Sequence, residues 1–301
     1  MGAFSYADDV ILIAPTRHSL QIMLKICEEF SSTHEMQFST DPSPSKSKTK
    51  CLYFTKDDSQ PEPERVTLDG NKLPWVDSAK HLGNLLSTCL LKNHSYPDTN
   101  KDLCIKKATF FDRVHSIKQE FGFCSKRILC ELLRIYATSF YGSMIWNMQS
   151  EDYSKLIRSY NVAIKLLWEL PHQAHKYFVE ELTDGPHLQS MLHSRYIGFL
   201  RSLDCSHKAE VRLLYYVCRN NLLTVTGSNI KFLMNTYECK TSADMLDRKN
   251  EIATKIVNPI NEENKWRPSL LEELVDIRDG RSITDLSNEE VQYMIELIST
   301  E

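Results

Sequence analysis

Two adjacent carboxylates inside a short apolar segment constrain this chain more than any other feature. The segment Phe4–Ala14 reads Phe-Ser-Tyr-Ala-Asp-Asp-Val-Ile-Leu-Ile-Ala. Aromatic residues before the aspartates and a β-branched run after them predict two strands joined by a tight turn. Asp8 and Asp9 fall at that turn, where neighbouring carboxylates repel each other unless a cation lies between them. A hard divalent ion such as Mg²⁺, which prefers oxygen ligands, is therefore expected to bind this pair.

The residues Tyr6–Asp9 resemble the Tyr-x-Asp-Asp metal hairpin of reverse transcriptases, especially those of non-LTR retrotransposons of the LINE or jockey kind. The resemblance implies RNA-directed DNA polymerase chemistry, a nucleotidyl transfer that uses Mg²⁺. It makes Asp8 and Asp9 both metal ligands and catalytic residues. It also implies that Tyr6 lies beside the bound nucleic acid.

Two further motifs follow in the order that this resemblance implies. A helix is predicted from Arg17, and a Lys-Thr-Lys begins at Lys48 before an expected strand at Cys51–Phe54. By resemblance, Lys48 lies near the incoming triphosphate and counts as catalytic; Lys46 and Lys50 are alternatives because the loop alignment could slip. An ordinary solvated basic loop remains open at the same position.

The segment His81-Leu82-Gly83 resembles the Tyr-Leu-Gly of the family's primer-grip hairpin. Glycine would let the backbone approach a primer strand closely, so Gly83 is a candidate nucleic-acid contact. A plain strand-end glycine is the competing interpretation. Before it, Val66–Leu73 is predicted to form a hairpin with Asp-Gly at its turn.

From Asn100 onward the apolar spacing is helical. Three helices are predicted before Pro171: one with a stripe from Leu103 to Phe121, a central one at Ile128–Trp146 that is apolar on most sides, and a third starting near Tyr153. Their position resembles the polymerase thumb, which grips a duplex through phosphates. The candidates for such contacts are Lys106, Lys107, Arg113 and Lys118, with Arg195, Arg201, Arg212 and Arg219 further along. Solvated surface charge is the alternative for each.

The expected fold class is α+β, with a small antiparallel palm remnant followed by helices. Three regions are predicted: a partial palm at residues 1–90, a thumb-like bundle at 100–171, and a C-terminal helical region with an acidic tail at 172–301. A linker is expected at 258–268. A last helix should start at Ser287, where Ser and Glu three residues later form a capping box.

Composition limits the function only loosely. The 301-residue chain has a net charge of −4, which argues mildly against a nucleic-acid binder as a whole. Between Lys101 and Arg134, however, eight basic and four acidic residues give +4. The nine cysteines are scattered, with no common zinc spacing, which favours free thiols and an intracellular location in nucleus or cytoplasm. No signal peptide or membrane span is evident, so no membrane partner is expected.

The resemblance also predicts that this chain is inactive alone. In the family, a third metal-binding aspartate and the nucleotide pocket come from segments before the hairpin, and only five residues precede Tyr6 here. The apolar strand Val10–Ile13 would then have an unpaired edge and could mediate self-association. The expected partners are an RNA template and a DNA primer. A non-catalytic nucleic-acid-binding module and a helical protein-interaction protein are the two alternatives.

Overall fold

A computed structural model describes residues 1–41, 43, 46–55, 63–88, 98–174, 187–254 and 286–299. The fold is α+β: small antiparallel hairpins come first and helices follow, as the sequence predicts. The chain divides into two compact units, Met1–Asp102 and Leu103–Glu301. The unit boundary lies close to the predicted start of the helical region.

In its described residues, the first unit contains three two-stranded antiparallel sheets and one complete helix. Strands β1 (Gly2–Tyr6) and β2 (Asp9–Ile13) pair, as do β3 (Thr67–Leu68) with β4 (Asn71–Lys72) and β5 (Ser78–His81) with β6 (Asn84–Ser87). The helix α1 spans Arg17–Thr33. The Asp-Gly turn predicted within Val66–Leu73 is confirmed between β3 and β4.

Helix α1 begins where the sequence predicts because Thr16 caps it. The Thr16 side chain accepts a hydrogen bond from the Ser19 amide at 3.1 Å, which satisfies one of the free amides of the first turn. The Gln21 side chain then binds both backbone groups of Thr67, each at 2.9 Å. These bonds place Leu24 in a small core with the buried residues Cys51, Val66, Leu68 and Leu73.

Two predictions in the first unit are wrong in detail. Cys51–Phe54 is not a strand: Cys51 makes an isolated parallel bridge with Trp75, and the residues after it have no regular pairing. Phe30 is 50% exposed, although its helical spacing from Leu20, Met23, Leu24 and Cys27 predicts that all five form one apolar stripe on α1. Both errors are consistent with the small size of this core, which has five buried hydrophobic residues among those that the structure describes.

The second unit is helical. The α-helices in its described residues are α2 (Asn100–Phe121, whose first turn lies in the first unit), α3 (Lys126–Leu132), α4 (Glu151–Trp168), α5 (Leu188–Asp204), α6 (Ala209–Arg219), α7 (Val225–Thr236), α8 (Ser242–Asp247), α9 (Lys249–Thr254) and α10 (Asn288–Ser299). A π-helical turn covers Leu133–Ala137 and a short 3₁₀ turn covers Ser143–Ile145.

The continuous central helix predicted at Ile128–Trp146 is wrong. After α3 the Thr138 amide bonds to the Leu133 carbonyl five residues back, which closes the π-turn. The backbone then leaves the helix, with φ of 32° at Phe140 and 82° at Gly142, values in the left-handed region that a helix excludes. Ile135, 75% exposed, therefore points to solvent rather than into a core.

One hydrophobic core joins residues of both predicted helical regions. It runs from Leu103 in α2 through Trp146 and Trp168 to Met294 in α10, all less than 2% exposed. The predicted stripes of α2 and α4 face this core, although Phe121 is 38% exposed. The acidic tail after Glu251 and the predicted linker at 258–268 lie mostly outside the described residues.

The last helix confirms its predicted start. The Ser287 amide donates to the Glu290 carboxylate at 2.7 Å, and the Glu290 amide donates back to the Ser287 hydroxyl at 3.2 Å. This is the reciprocal pairing of a capping box.

Within the parts of the chain that the structure describes, no helix is both long and apolar enough to span a membrane. All eight cysteines in those parts are free thiols.

Candidate metal hairpin and nucleic-acid interface

The two aspartates lie at the tip of the β1–β2 hairpin. Tyr6 pairs with Asp9, so Ala7 and Asp8 form a two-residue turn. Ala7 has φ 52°, in the left-handed region where a side chain costs roughly 1–2 kcal/mol. Asp8 and Asp9 are both exposed. The hairpin thus holds two adjacent carboxylates in open solvent on a strained turn.

This pair of carboxylates fits a single hydrated divalent ion better than a complete metal centre. In the described ranges no third acidic, histidine or cysteine side chain joins a group that could hold a metal. Hard ions of this class take six or more oxygen ligands, so water would supply most of them. A two-metal polymerase site needs a shared ligand set that two exposed carboxylates do not provide.

Lys48 lies in an exposed loop that is held by its neighbours. The Ser47 hydroxyl donates to the Thr49 carbonyl at 2.6 Å, and the Thr49 amide donates to the Ser39 carbonyl at 3.2 Å. Lys48 itself is exposed. Among the residues described, no hydrogen bond or ion pair joins the Lys48 ammonium to the hairpin carboxylates. The alternatives Lys46 and Lys50 are exposed as well.

Gly83 lies in the two-residue turn between β5 and β6. Leu82 and Gly83 have φ of 45° and 79°, as a type I′ turn requires at both central positions. The turn geometry alone therefore accounts for a glycine here. This hairpin is tied to the first turn of α2, because the buried Asp102 carboxylate accepts a hydrogen bond from the Leu85 amide at 3.0 Å.

Two of the four predicted phosphate contacts on α2 already bind groups within the second unit. Arg113 donates to the Tyr136 carbonyl and the Ser139 hydroxyl, both at 2.9 Å. Lys118 donates to the Leu166 carbonyl at 3.2 Å, at the C-terminal end of α4, where a cation is favoured by the helix dipole. Its ammonium also lies 4.0 Å from the Glu169 carboxylate.

Lys106 and Lys107 are partly buried on the same helix. Lys106 and Arg113 are seven residues apart and share one side of α2, while Lys107 lies about 100° around the helix. The basic side chains of α2 therefore do not form one continuous stripe.

The structure adds one arginine contact that sequence reasoning does not find. On α5, Arg195 donates from Nη1 to the carbonyls of Thr138 and Ser139 at 3.0 and 3.1 Å. Burial lowers the pKa of the Arg195 guanidinium. In the sequence Arg195 is one of several surface candidates, and no local pattern connects it with Ser139, which is 56 residues away.

Comparisons with protein-family models, with curated proteins and with solved structures found no match to this chain.

Proposed function

We propose that this chain is a reverse transcriptase-like polypeptide of the non-LTR retrotransposon kind that does not polymerise on its own. The observation that carries the proposal is the hairpin tip, where a two-residue turn holds Asp8 and Asp9 side by side in solvent beside Tyr6. Such a tip can approach a nucleic-acid strand and hold an ion against its phosphates. Lys48 would act near a triphosphate, and Gly83 and the α2 lysines would contact the nucleic acid.

Inactivity is proposed because the ligand set in the described residues is too small. When bound, Mg²⁺ would supply Lewis-acid activation of a phosphate oxygen and neutralise developing charge. Asp8 and Asp9 would hold and orient such an ion, but no third side chain in the parts described joins them. A second ion would therefore lack protein ligands in this polypeptide. The role left to the chain is to bind nucleic acid and one weakly held ion.

A primer-extension assay tests the catalytic part of this proposal. Purified chain, a primed RNA template, Mg²⁺ and deoxynucleotides are expected to give no extended product. Product that disappears with the Asp8→Ala variant would show that the chain polymerises alone and would refute the proposed inactivity. Asp77→Ala, at an exposed carboxylate outside the hairpin, is the matched control.

Ion binding is tested separately with Mn²⁺ as a paramagnetic probe for Mg²⁺. Broadening of the amide signals of Ala7 to Val10 should occur only at millimolar Mn²⁺ and should vanish in Asp8→Asn/Asp9→Asn. Broadening that persists in this double variant would remove the metal from the proposal.

Self-association through the hairpin is part of the same proposal. Neither edge of the β1–β2 sheet is paired within the described residues, and Phe4, Val10 and Ile13 are 61%, 48% and 57% exposed. An exposed apolar edge strand is a template for pairing with another chain. The wild-type chain should sediment in a concentration-dependent way, and the Ile13→Lys variant should not. Unchanged sedimentation of this variant would exclude this edge.

The free thiols of the described residues support the proposed intracellular location, in nucleus or cytoplasm.

A helical protein-interaction role is the second candidate, and helix α6 favours it. Leu213, Leu214 and Val217 on this helix are 65%, 65% and 55% exposed, so its outer side is apolar. The exposed Glu210 lies one turn earlier on that same side, which suits an amphipathic partner helix with basic residues at its margin. This role predicts a stoichiometric protein partner whose binding is abolished by Leu213→Gln/Val217→Gln and is indifferent to nucleic acid.

A further inference from the structure

We propose that Arg113, Arg195 and Ser139 form an anion site that holds one phosphate of a single-stranded nucleic acid, with the adjacent base on Tyr141. The inference rests on the proposed nucleic-acid-binding function. It specifies the kind of ligand, a single strand, and the residues that bind it. All four residues belong to the second unit.

Two guanidinium groups from different helices meet at one exposed serine. Arg113 of α2 donates to the Ser139 hydroxyl at 2.9 Å, and Arg195 of α5 donates to the Ser139 carbonyl at 3.1 Å. The loop that carries Ser139 follows the π-turn and includes the left-handed Phe140 and Gly142. The strained loop thus brings a hydroxyl donor between two cations.

Neither cation has an acidic partner in the part of the chain that the structure describes. Arg134, Arg219 and Arg248 each lie within 4.0 Å of a carboxylate, whereas Arg113 and Arg195 make no such pair. Arg195 is also half-buried, and desolvation lowers its pKa, so its charge is poorly compensated. Two like charges near one residue favour an anion between them.

The remaining donors match a phosphate. A guanidinium has five N–H groups, and each of these arginines uses only Nη1 in its hydrogen bonds. Nη2 and Nε of each remain available, and the Ser139 hydroxyl accepts from Arg113 while its own proton is free to donate. A single guanidinium group can bind phosphate oxygens with two parallel hydrogen bonds.

Exposed aromatic side chains favour a nucleic-acid strand over a free anion. The Tyr141 ring is 59% exposed two residues after Ser139, and Ile135 in the preceding turn is 75% exposed. Tyr136 already has the Arg113 guanidinium 5.2 Å from its ring centroid. A cation beside open aromatic rings is the arrangement that binds unstacked bases and their backbone.

The competing explanation is that the arginines only cap the carbonyls where α3 and its π-turn end, a place where cations are favoured. Ser139→Glu separates the two explanations. It leaves both arginines and the carbonyls in place and puts a carboxylate where the phosphate would bind. Ser139→Gln is its uncharged match. Under either explanation the two variants should fold, and circular dichroism melting checks this directly.

The experiment measures fluorescence anisotropy of a labelled single-stranded oligonucleotide with the full chain over a range of salt. Ser139→Glu should bind at least tenfold more weakly than Ser139→Gln, and its salt slope should be smaller by about 0.7 because one phosphate is no longer neutralised. Tyr141→Ala should weaken binding about tenfold, and Tyr141→Phe should not. Lys231→Gln, which removes an exposed charge from α7, controls for net charge.

Equal affinity of Ser139→Glu and Ser139→Gln would overturn the site. If charge reversal at Lys106 and Lys107 then abolishes binding, the proposed function stands and only this site fails. If neither single-stranded nor duplex oligonucleotides bind the wild-type chain, both fail. Binding of inorganic phosphate in calorimetry, without binding of any oligonucleotide, would likewise exclude the strand as the ligand.

Discussion

His193 should make the stability of the second unit depend on pH. The side chain is fully buried on α5, with Nδ1 2.8 Å from the Tyr237 hydroxyl and its ring stacked parallel to Tyr153 at 6.2 Å. Burial, with a smaller contribution from the charge of His187, lowers the pKa of His193 to about 3. The native state therefore keeps this imidazole neutral at any pH near neutrality.

The sign follows from the protons bound in each state. An unfolded histidine has a pKa of about 6.5, so on acidification His193 binds a proton in the unfolded chain but not in the native chain. The contribution of His193 to the free energy of unfolding is fully present above pH 6.5 and declines as the pH falls toward 3. Each pH unit inside this window lowers the free energy of unfolding by about 1.4 kcal/mol, so moving from pH 7 to pH 5 costs about 2 kcal/mol.

His193→Phe removes the titrating group and keeps an aromatic ring in the stack. Urea denaturation followed by far-ultraviolet circular dichroism, at pH 7 and at pH 5, gives the free energy of unfolding of both proteins. The variant is expected to be less stable at pH 7 because it cannot form the hydrogen bond to Tyr237. Its additional loss at pH 5 should be about 2 kcal/mol smaller than that of the wild type.

Histidines that do not interact with His193 contribute equally to both proteins, so the difference between the two losses isolates His193 together with its interaction with His187. His207→Gln, at an exposed histidine, is the matched control and should lose as much stability as the wild type. If His193→Phe loses the same free energy between pH 7 and pH 5 as the wild type, the buried neutral imidazole is refuted.

Three further substitutions test other parts of the fold. Ala7→Gly should stabilise the hairpin by about 0.5–1 kcal/mol, because glycine adopts φ 52° without strain, and slower amide exchange at Val10 would show it. Asn229→Leu should lower the free energy of unfolding, measured by urea denaturation, by about 3 kcal/mol, because the buried Asn229 amide donates a hydrogen bond to the Trp146 carbonyl and accepts one from the Met148 amide. Ser287→Ala should cost about 1 kcal/mol and speed amide exchange in the first turn of α10; unchanged exchange would refute the capping box.

Features set by a few neighbouring residues could be predicted from the sequence. Thr16 before an apolar stripe, Asp-Gly between two short strands, and Ser287 three residues before a glutamate each specify their structure locally. The hairpin tip with Asp8 and Asp9 belongs to the same group. Each of these signals operates within about four residues, so no knowledge of distant contacts is needed.

Helix α6 shows why burial is harder to predict. Leu213 to Val217 are five apolar residues in a row, so the pattern repeats on every side of the helix and does not indicate which side is buried. Helical spacing predicts Leu214 and Tyr215 in one apolar stripe, yet Leu214 is 65% exposed and Tyr215 only 2%. Packing against other helices decides which side of α6 is buried, and the sequence of a single helix does not specify that side.

The candidate anion site depends on tertiary structure in the same way. Ser139 lies 26 residues from Arg113 and 56 from Arg195, and the turn that brings them together replaces a helix that local propensity favours. The turn at Ala7 and Asp8 could therefore be predicted from its neighbouring residues, whereas the contacts of Ser139 could not.

The π-turn at Leu133–Ala137 has a consequence for how this protein tolerates length changes. A π-turn contains one residue more than the α-turn it replaces, so losing a single codon there would restore regular winding of α3. The five residues of a π-turn rotate the chain about as far as four α-helical residues, so the Thr138–Gly142 backbone would keep its direction and Ser139 would stay beside both arginines. We therefore expect a one-residue deletion at Ile135, which is exposed, to be tolerated, with the buried Leu133 in place and the contacts of Ser139 with the two arginines kept.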